Sequence, residues 1–151
     1  RSVNGPEDLK GLKMRTMENP VHIAAYKGFG IITTPMAFPE VFTALQTGTV
    51  DGQENPIPVI LANKLYTVQK YVTLDSHVYS PALLIINKGL WDKLSDADKT
   101  AFKEAAKIAL VANRKKVNDD EANGIDVMKK AGTEVITSVD NAAFQKMTFF
   151  R

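Results

Sequence analysis

The sequence predicts an α/β protein built around a largely parallel sheet, and three observations carry that expectation. Between residues 12 and 52, the stretches "LKMRTM", "IITTP" and "GTVDG" are separated by two segments with helix-opening signals. That is the order expected of consecutive βαβ units. Proline and glycine fall at the ends of the intervening segments rather than inside them, where they start and stop helices. Finally, the run from Asp96 to Ala131 contains no proline and only Gly124 as an interruption.

Taken in order, "GPEDLKG" is a turn-rich entry with Pro6 as a first helical residue. Leu12, Met14 and Thr16 alternate with Lys13, Arg15 and Met17, the period of a strand. Asn19 caps a helix that Pro20 opens and Gly28 and Gly30 close. "IITTP" is β-branched and reads as the second strand. Pro39 restarts a helix with Val41, Phe42 and Leu45 at apolar spacing, and Gly48 ends it. "GTVDG" is a short extended piece running into a turn. After Pro58, "VILANKLYTVQ" reads as a short helix and an irregular link. "YVTLDSHVYS" and "PALLIINK" read as two further strands, and "KGLWDKL" as a helical turn or two.

Ser95 then caps the long helix, with Asp98 three residues on. At 1.5 Å per residue the run amounts to roughly 50 Å. A helix of that length either breaks near "NDDEANG" or bridges two lobes. Gly132 ends it, "TEVITSV" reads as a strand, and "DNAAFQKM" opens a last helix.

Composition excludes several classes. A chain of 151 residues, 44% apolar and 24% charged, supports one domain with an ordinary core. The net charge of +2 is spread along the chain, so no nucleic-acid footprint is expected. Apolar runs such as "PALLII" are too short to span a bilayer. Without cysteine there are no disulfides or thiolate metal sites. His22 and His77 lie far apart and in no HExxH-like spacing, so no metal site and no cofactor are expected. The chain lacks both an initiator Met and a signal-peptide pattern, and reads as a piece of a longer one.

Three residues near the ends of successive strands are candidates for binding. Arg15 offers a planar fork suited to a carboxylate or phosphate; the plainer alternative is a surface arginine or an ion pair with Glu18. Phe38 is either an apolar anchor for the helix that Pro39 opens or an aromatic wall of a pocket beyond the strand ends. Asn55, in "VDGQENP", either satisfies a local turn or supplies a neutral donor and acceptor beside an anion site. No GxSxG elbow, P-loop or dinucleotide fingerprint is present. Glu18, Asp51 and Glu54 have no nucleophile, histidine base or metal predicted nearby, so no catalytic set emerges. "RKK" at 114–116 followed by "DDE" at 119–121 reads as a solvated, charge-laced helix face, with a docking patch as the alternative.

The segments "DLKGLKMRTMENP", "TPMAFPEVFTALQTGTVDGQENP", "YTVQKYVTLDSHVYSPALLIINKGLWDKL" and "DADKTAFKEAAK" together resemble the solute-binding receptors of tripartite ATP-independent periplasmic (TRAP) transporters, the DctP family. The resemblance covers nearly the whole chain. It implies a periplasmic-binding-protein-like, type II-like lobe: a mostly parallel central sheet flanked by helices, with a long helix bridging to a largely missing first lobe. Residues 1–80 would form the main part of the second lobe. Residues 81–120 would be a hinge strand and long helix leaning on the first lobe, and residues 121–151 would return to the second lobe. The implied function is a periplasmic receptor, not an enzyme, that binds an organic acid and delivers it to an ion-gradient-driven membrane permease. On this resemblance Arg15 pairs with the ligand carboxylate, Phe38 and Asn55 contact the ligand, and Glu18 lies at a position that varies with ligand. Gln53 and Glu54 are expected to make scaffolding or hinge contacts. Pro39 stands where the family often has Ser, a change expected to affect a helix cap more than the ligand. Apolar surface left bare on "PALLII" and the long helix is expected to favour self-association. The alternatives are an enzyme acting on small organic acids, or a fragment without binding activity of its own.

Overall fold

The structure, a computed structural model, describes residues 1–148. Strands β1 (Lys13–Thr16) and β2 (Ile32–Pro35) pair in parallel, with Arg15 opposite Thr34. Helix α1 (Pro20–Gly28) makes the crossover between them. Its start is fixed locally, because the Asn19 side chain accepts from the amides of Val21 and His22. Such a cap satisfies donors that the first helical turn leaves free. Beyond α1 the chain reverses through Gly30, at φ +73°, a conformation that disfavours other residues.

The third predicted strand is reduced to a single bridge. Gly52 pairs with Met14, and Arg15 N–H donates to the Gly52 carbonyl at 2.9 Å. A Cβ on Gly52 would fall 2.6 Å from Met14 Sδ, so any larger residue here would push the flexible end of the Met14 side chain aside. Helix α2 (Val41–Gln46) follows a 3₁₀ turn at Phe38–Glu40. Pro39 lies inside that turn, and the residue that caps it, Ala37, gives no side-chain hydrogen bond. Helix α3 (Ile57–Ala62) starts directly after the "QENP" loop.

A second parallel pair, β3 (Tyr71–Thr73) with β4 (Glu134–Ile136), completes the sheets. Two short helices, α4 (Lys88–Lys93) and α6 (Asn141–Thr148), flank the 35-residue helix α5 (Asp96–Lys130) in the sequence. Two apolar clusters hold the body together. One joins α2, α3 and the inner end of α5 through Val41, Leu45, Ile60, Leu65 and Met128; the other joins α1 to α6 through Tyr26, Phe29 and Phe144.

Helix α5 is continuous. It does not break at "NDDEANG", because Gly124 lets α3 press against it: a Cβ there would meet Ile57 Cγ2 at 2.5 Å and Leu61 Cδ1 at 2.8 Å. Its outer part is exposed, as at Ile108 and Val111, and meets α4 where the Trp91 and Phe102 rings lie 6.4 Å apart. The "RKK"/"DDE" stretch forms the solvated face expected, Lys115 pairing with Asp119 at 2.6 Å and Lys116 with Asp120.

Two expectations need correction. "PALLIINK" forms no strand, and Leu83, Leu84 and Ile85 are each more than 80% exposed. "YVTLDSHVYS" is a strand only over its first three residues. Both segments have the β-branched and apolar composition of strands. Yet after Leu74, whose amide still bonds to Ile136, no neighbouring chain among the described residues offers a ladder. Strand composition without a pairing partner leaves an extended, unpaired segment.

Candidate functional site: a buried arginine and a histidine-clamped loop

Arg15 is buried, at 5% exposure, which overturns the reading of it as a surface arginine. Its Nε and Nη2 donate to the Met36 carbonyl at 3.2 and 3.0 Å. This side-on pair fixes the plane of the guanidinium. It leaves the outer fork, Nη1 with the second Nη2 hydrogen, without a hydrogen-bond partner among the described residues. The guanidinium carbon lies 5.8 Å from the centre of the Phe38 ring, within cation–π range. Burial lowers the Arg15 pKa, and the carboxylates of Glu54 and Glu18 oppose that shift. A guanidinium remains charged throughout the accessible pH range. The result is a fixed, partly desolvated cation with a free planar fork, the arrangement that binds a carboxylate in two-pronged fashion.

Glu18, at the C-terminal end of β1, is exposed and acts on Arg15 through charge rather than a hydrogen-bonded pair. Asn55 is half-buried, and its Nδ2 donates to Gln53 Oε1 at 2.6 Å. That bond sets the orientation of the amide and leaves Asn55 Oδ1 and a second N–H available. A cavity of about 170 Å³ is lined by Gln53, Glu54 and Asn55 together with Tyr26, Asp75 and His77. Arg15 and Phe38 do not line it; Phe38 borders a separate hollow with Phe42 and Leu65. The structure therefore brings Arg15 and Phe38 together, and places Asn55 on the next chain segment with no hydrogen bond to Arg15 among the described residues.

The sequence reading missed the histidines. His22 and His77, 55 positions apart, converge on one carboxylate: His22 Nε2 lies 3.1 Å from Glu54 Oε1, and His77 Nε2 3.8 Å from Glu54 Oε2. On its other side His77 Nδ1 is 2.6 Å from Asp75 Oδ1, and Tyr26 Oη is 2.5 Å from His77 Nε2. Contrary to the expectation from the sequence, Glu54 therefore has two histidines beside it. The available signal was weak: His22 and Tyr26 are four apart on one helix face, and nothing in the sequence places that face against residues 54 and 77. Burial raises the pKa of Tyr26 strongly, reinforced by Glu54 and Asp75. For His77, burial opposes protonation, but the Asp75 hydrogen bond and the Asp75 and Glu54 charges outweigh it, and its pKa is raised.

A parallel α/β body with a buried cation, an aromatic ring and an amide loop near the carboxyl ends of its strands has the features by which α/β proteins form ligand clefts. The chain belongs to a known family of this class: residues 1–148 match the model of the bacterial extracellular solute-binding proteins, family 7 (DctP). It is 61% identical over 144 residues to a solute-binding protein of Verminephrobacter eiseniae, covering 95% of this chain and 43% of the relative. It is 48% identical over 142 residues to the 2,3-diketo-L-gulonate-binding periplasmic protein YiaO of Escherichia coli, covering 94% and 43%. Among solved structures, a TRAP periplasmic solute-binding protein of Polaromonas sp. JS666 bound to D-erythronate matches with TM-score 0.93 and 59% identity, covering 98% of this chain and 49% of that one. The chain spans about half the length of the relatives it matches.

Proposed function

We propose that this chain is the second lobe, with its bridging helix, of a periplasmic TRAP-transporter receptor for an organic acid. The observation that supports the reading most strongly is Arg15, buried and clamped by the Met36 carbonyl with its outer fork free. The ligand carboxylate pairs with that fork while Phe38 and Asn55 bound it and Glu18 tunes it, and the other lobe closes over the ligand. Closure removes water, which strengthens the ion pair. The loaded receptor then delivers its acid to a membrane permease. Residues 81–120 contact the first lobe, consistent with the bare apolar side chains of Leu83, Leu84 and Ile85. The family is one of solute-binding receptors, and the role assigned here is binding without turnover.

D-Erythronate, found in the Polaromonas structure, is the first probe. Thermal-shift measurement on the intact receptor should show stabilisation by D-erythronate or a related sugar acid, and none by erythritol, which has the same carbon chain without the carboxylate. Equal stabilisation by the polyol and the acid would overturn the carboxylate reading.

A further inference from the structure

The Glu54 cluster joins three separate segments. His22 and Tyr26 come from α1, Glu54 from the loop that carries Asn55, and Asp75 and His77 from the chain leaving β3. Ser76, between the last two, has φ +51°, a left-handed conformation that disfavours L-residues. It places the Asp75 and His77 side chains where they bond to each other at 2.6 Å. The backbone of His77 is open to solvent, but its side chain is 22% exposed, and that of His22 only 9%. His22 Nδ1 is buried without a hydrogen-bond partner among the described residues, so the ring is held by its bond to Glu54 and by packing on the Tyr26 ring at 4.3 Å.

We propose that Glu54 is a positioning residue for the ligand loop. Its carboxylate, shared between His22 and His77, fixes residues 53–55 against α1 and the segment leaving β3, and the proton on His77 sets how tightly they are held. This rests on the reading of Asn55 as a ligand contact.

The hydrogen-bond inventory explains the coupling. When His77 is charged, Nδ1–H donates to Asp75, Nε2–H donates to Tyr26 Oη, and the positive ring attracts Glu54. When His77 is neutral, Nδ1–H keeps Asp75, and Nε2 accepts from the Tyr26 hydroxyl instead. Deprotonation thus reverses one hydrogen bond and removes the attraction to Glu54. It also commits the Tyr26 proton, which otherwise is free to donate into the cavity that both residues line. Glu54 in addition acts on Arg15 through its charge. A protonated His77 offsets that carboxylate and leaves Arg15 the stronger anion site. The groups facing His77 are therefore Asp75 on its own segment, Glu54 on the loop and Tyr26 on α1. Behind Glu54 lie His22, Arg15 and, through Arg15, Glu18, while Arg1 lines the same cavity.

The chain holds only two histidines, which makes an NMR titration direct. In the native protein the His77 ring should titrate above the ordinary histidine value of about 6.5, and the Asn55 side-chain amide should shift with the same midpoint. In Glu54→Gln the amide should cease to follow His77, and the His22 ring signals should move. An Asn55 amide indifferent to the His77 titration in the native protein would overturn the proposal, whether or not the variant folds. In the intact receptor, D-erythronate should bind roughly fivefold more tightly with His77 protonated than deprotonated, a ratio that collapses to one in Glu54→Gln; an unchanged ratio in the variant also overturns it. An Asn55→Ala receptor that binds D-erythronate as well as the native one would refute the ligand-contact reading on its own, while the titration linkage separately decides the tie.

Discussion

The Arg15 guanidinium and the Phe38 ring face each other at 5.8 Å, on segments that pair through the register of β1 and β2. The cation is held from behind by the Met36 carbonyl, two residues before Phe38. One short stretch of chain therefore both orients the charge and covers it. Cation–π contacts at partly exposed sites are worth about 0.5–1 kcal/mol. Phe38→Leu in the intact receptor should accordingly weaken carboxylate binding about two- to fivefold, with Phe38→Tyr near native. Calorimetry of the three forms checks this.

The α3–α5 contact makes a prediction about stability. Gly124→Ala places a Cβ within 2.5 Å of Ile57 Cγ2, and overpacking of this kind typically costs about 1–3 kcal/mol. Urea unfolding should show that loss despite the better helix propensity of alanine. Ile57→Ala removes the clashing methyl, so the double variant should show a smaller penalty for Gly124→Ala than the single variant does.

His77 makes stability pH-dependent with a defined sign. Its folded pKa is raised, with burial opposing the shift and Asp75 and Glu54 dominating it. The stabilisation is fully present below the unfolded value of about 6.5 and is lost as pH rises through the higher folded value. Asp75→Asn removes the main cause of the shift. The difference in melting temperature between native protein and Asp75→Asn should be largest near pH 6 and shrink toward pH 9; a difference that grows with pH would contradict the assignment.

Leu83, Leu84 and Ile85 are bare, as are Ile108 and Val111 on α5, and exposed apolar side chains of this kind favour association where they form a patch. The 151-residue chain should sediment as a dimer or larger species at micromolar concentration. Leu84→Lys with Ile85→Lys should shift it toward monomer. A clean monomer for the native chain would refute self-association.

Local chemistry made most elements legible before any coordinates. Asn19, Pro20 and Gly30 bound α1; Gly48 and Gly132, both at positive φ, follow α2 and α5. These signals act within a few residues, so the sequence displays them directly. The long helix was legible but its continuity was not, because Gly124 weakens a helix in isolation and strengthens this one only through contact with Ile57 and Leu61. "PALLIINK" misled for the converse reason: strand composition is visible, a strand partner is not. In the site, the arginine fork could be read from residue type and its burial could not, since the Met36 carbonyl reaches it through the β1–β2 pairing. The Glu54 cluster was hidden altogether. It is assembled from positions 22, 26, 54, 75 and 77, which come together where α1 packs against the loop and the segment leaving β3. Of residues 121–151, expected to return to the second lobe, Phe149 to Arg151 lie outside those described.

The central claim is that the free fork of Arg15 binds a carboxylate, and calorimetry of D-erythronate with native and Arg15→Lys receptor tests it most directly. Lysine keeps the charge but loses the planar fork and the side-on bond to Met36. The account expects affinity to fall at least roughly tenfold, about 1.4 kcal/mol, with the fold retained. Equal affinity in the two forms would contradict it.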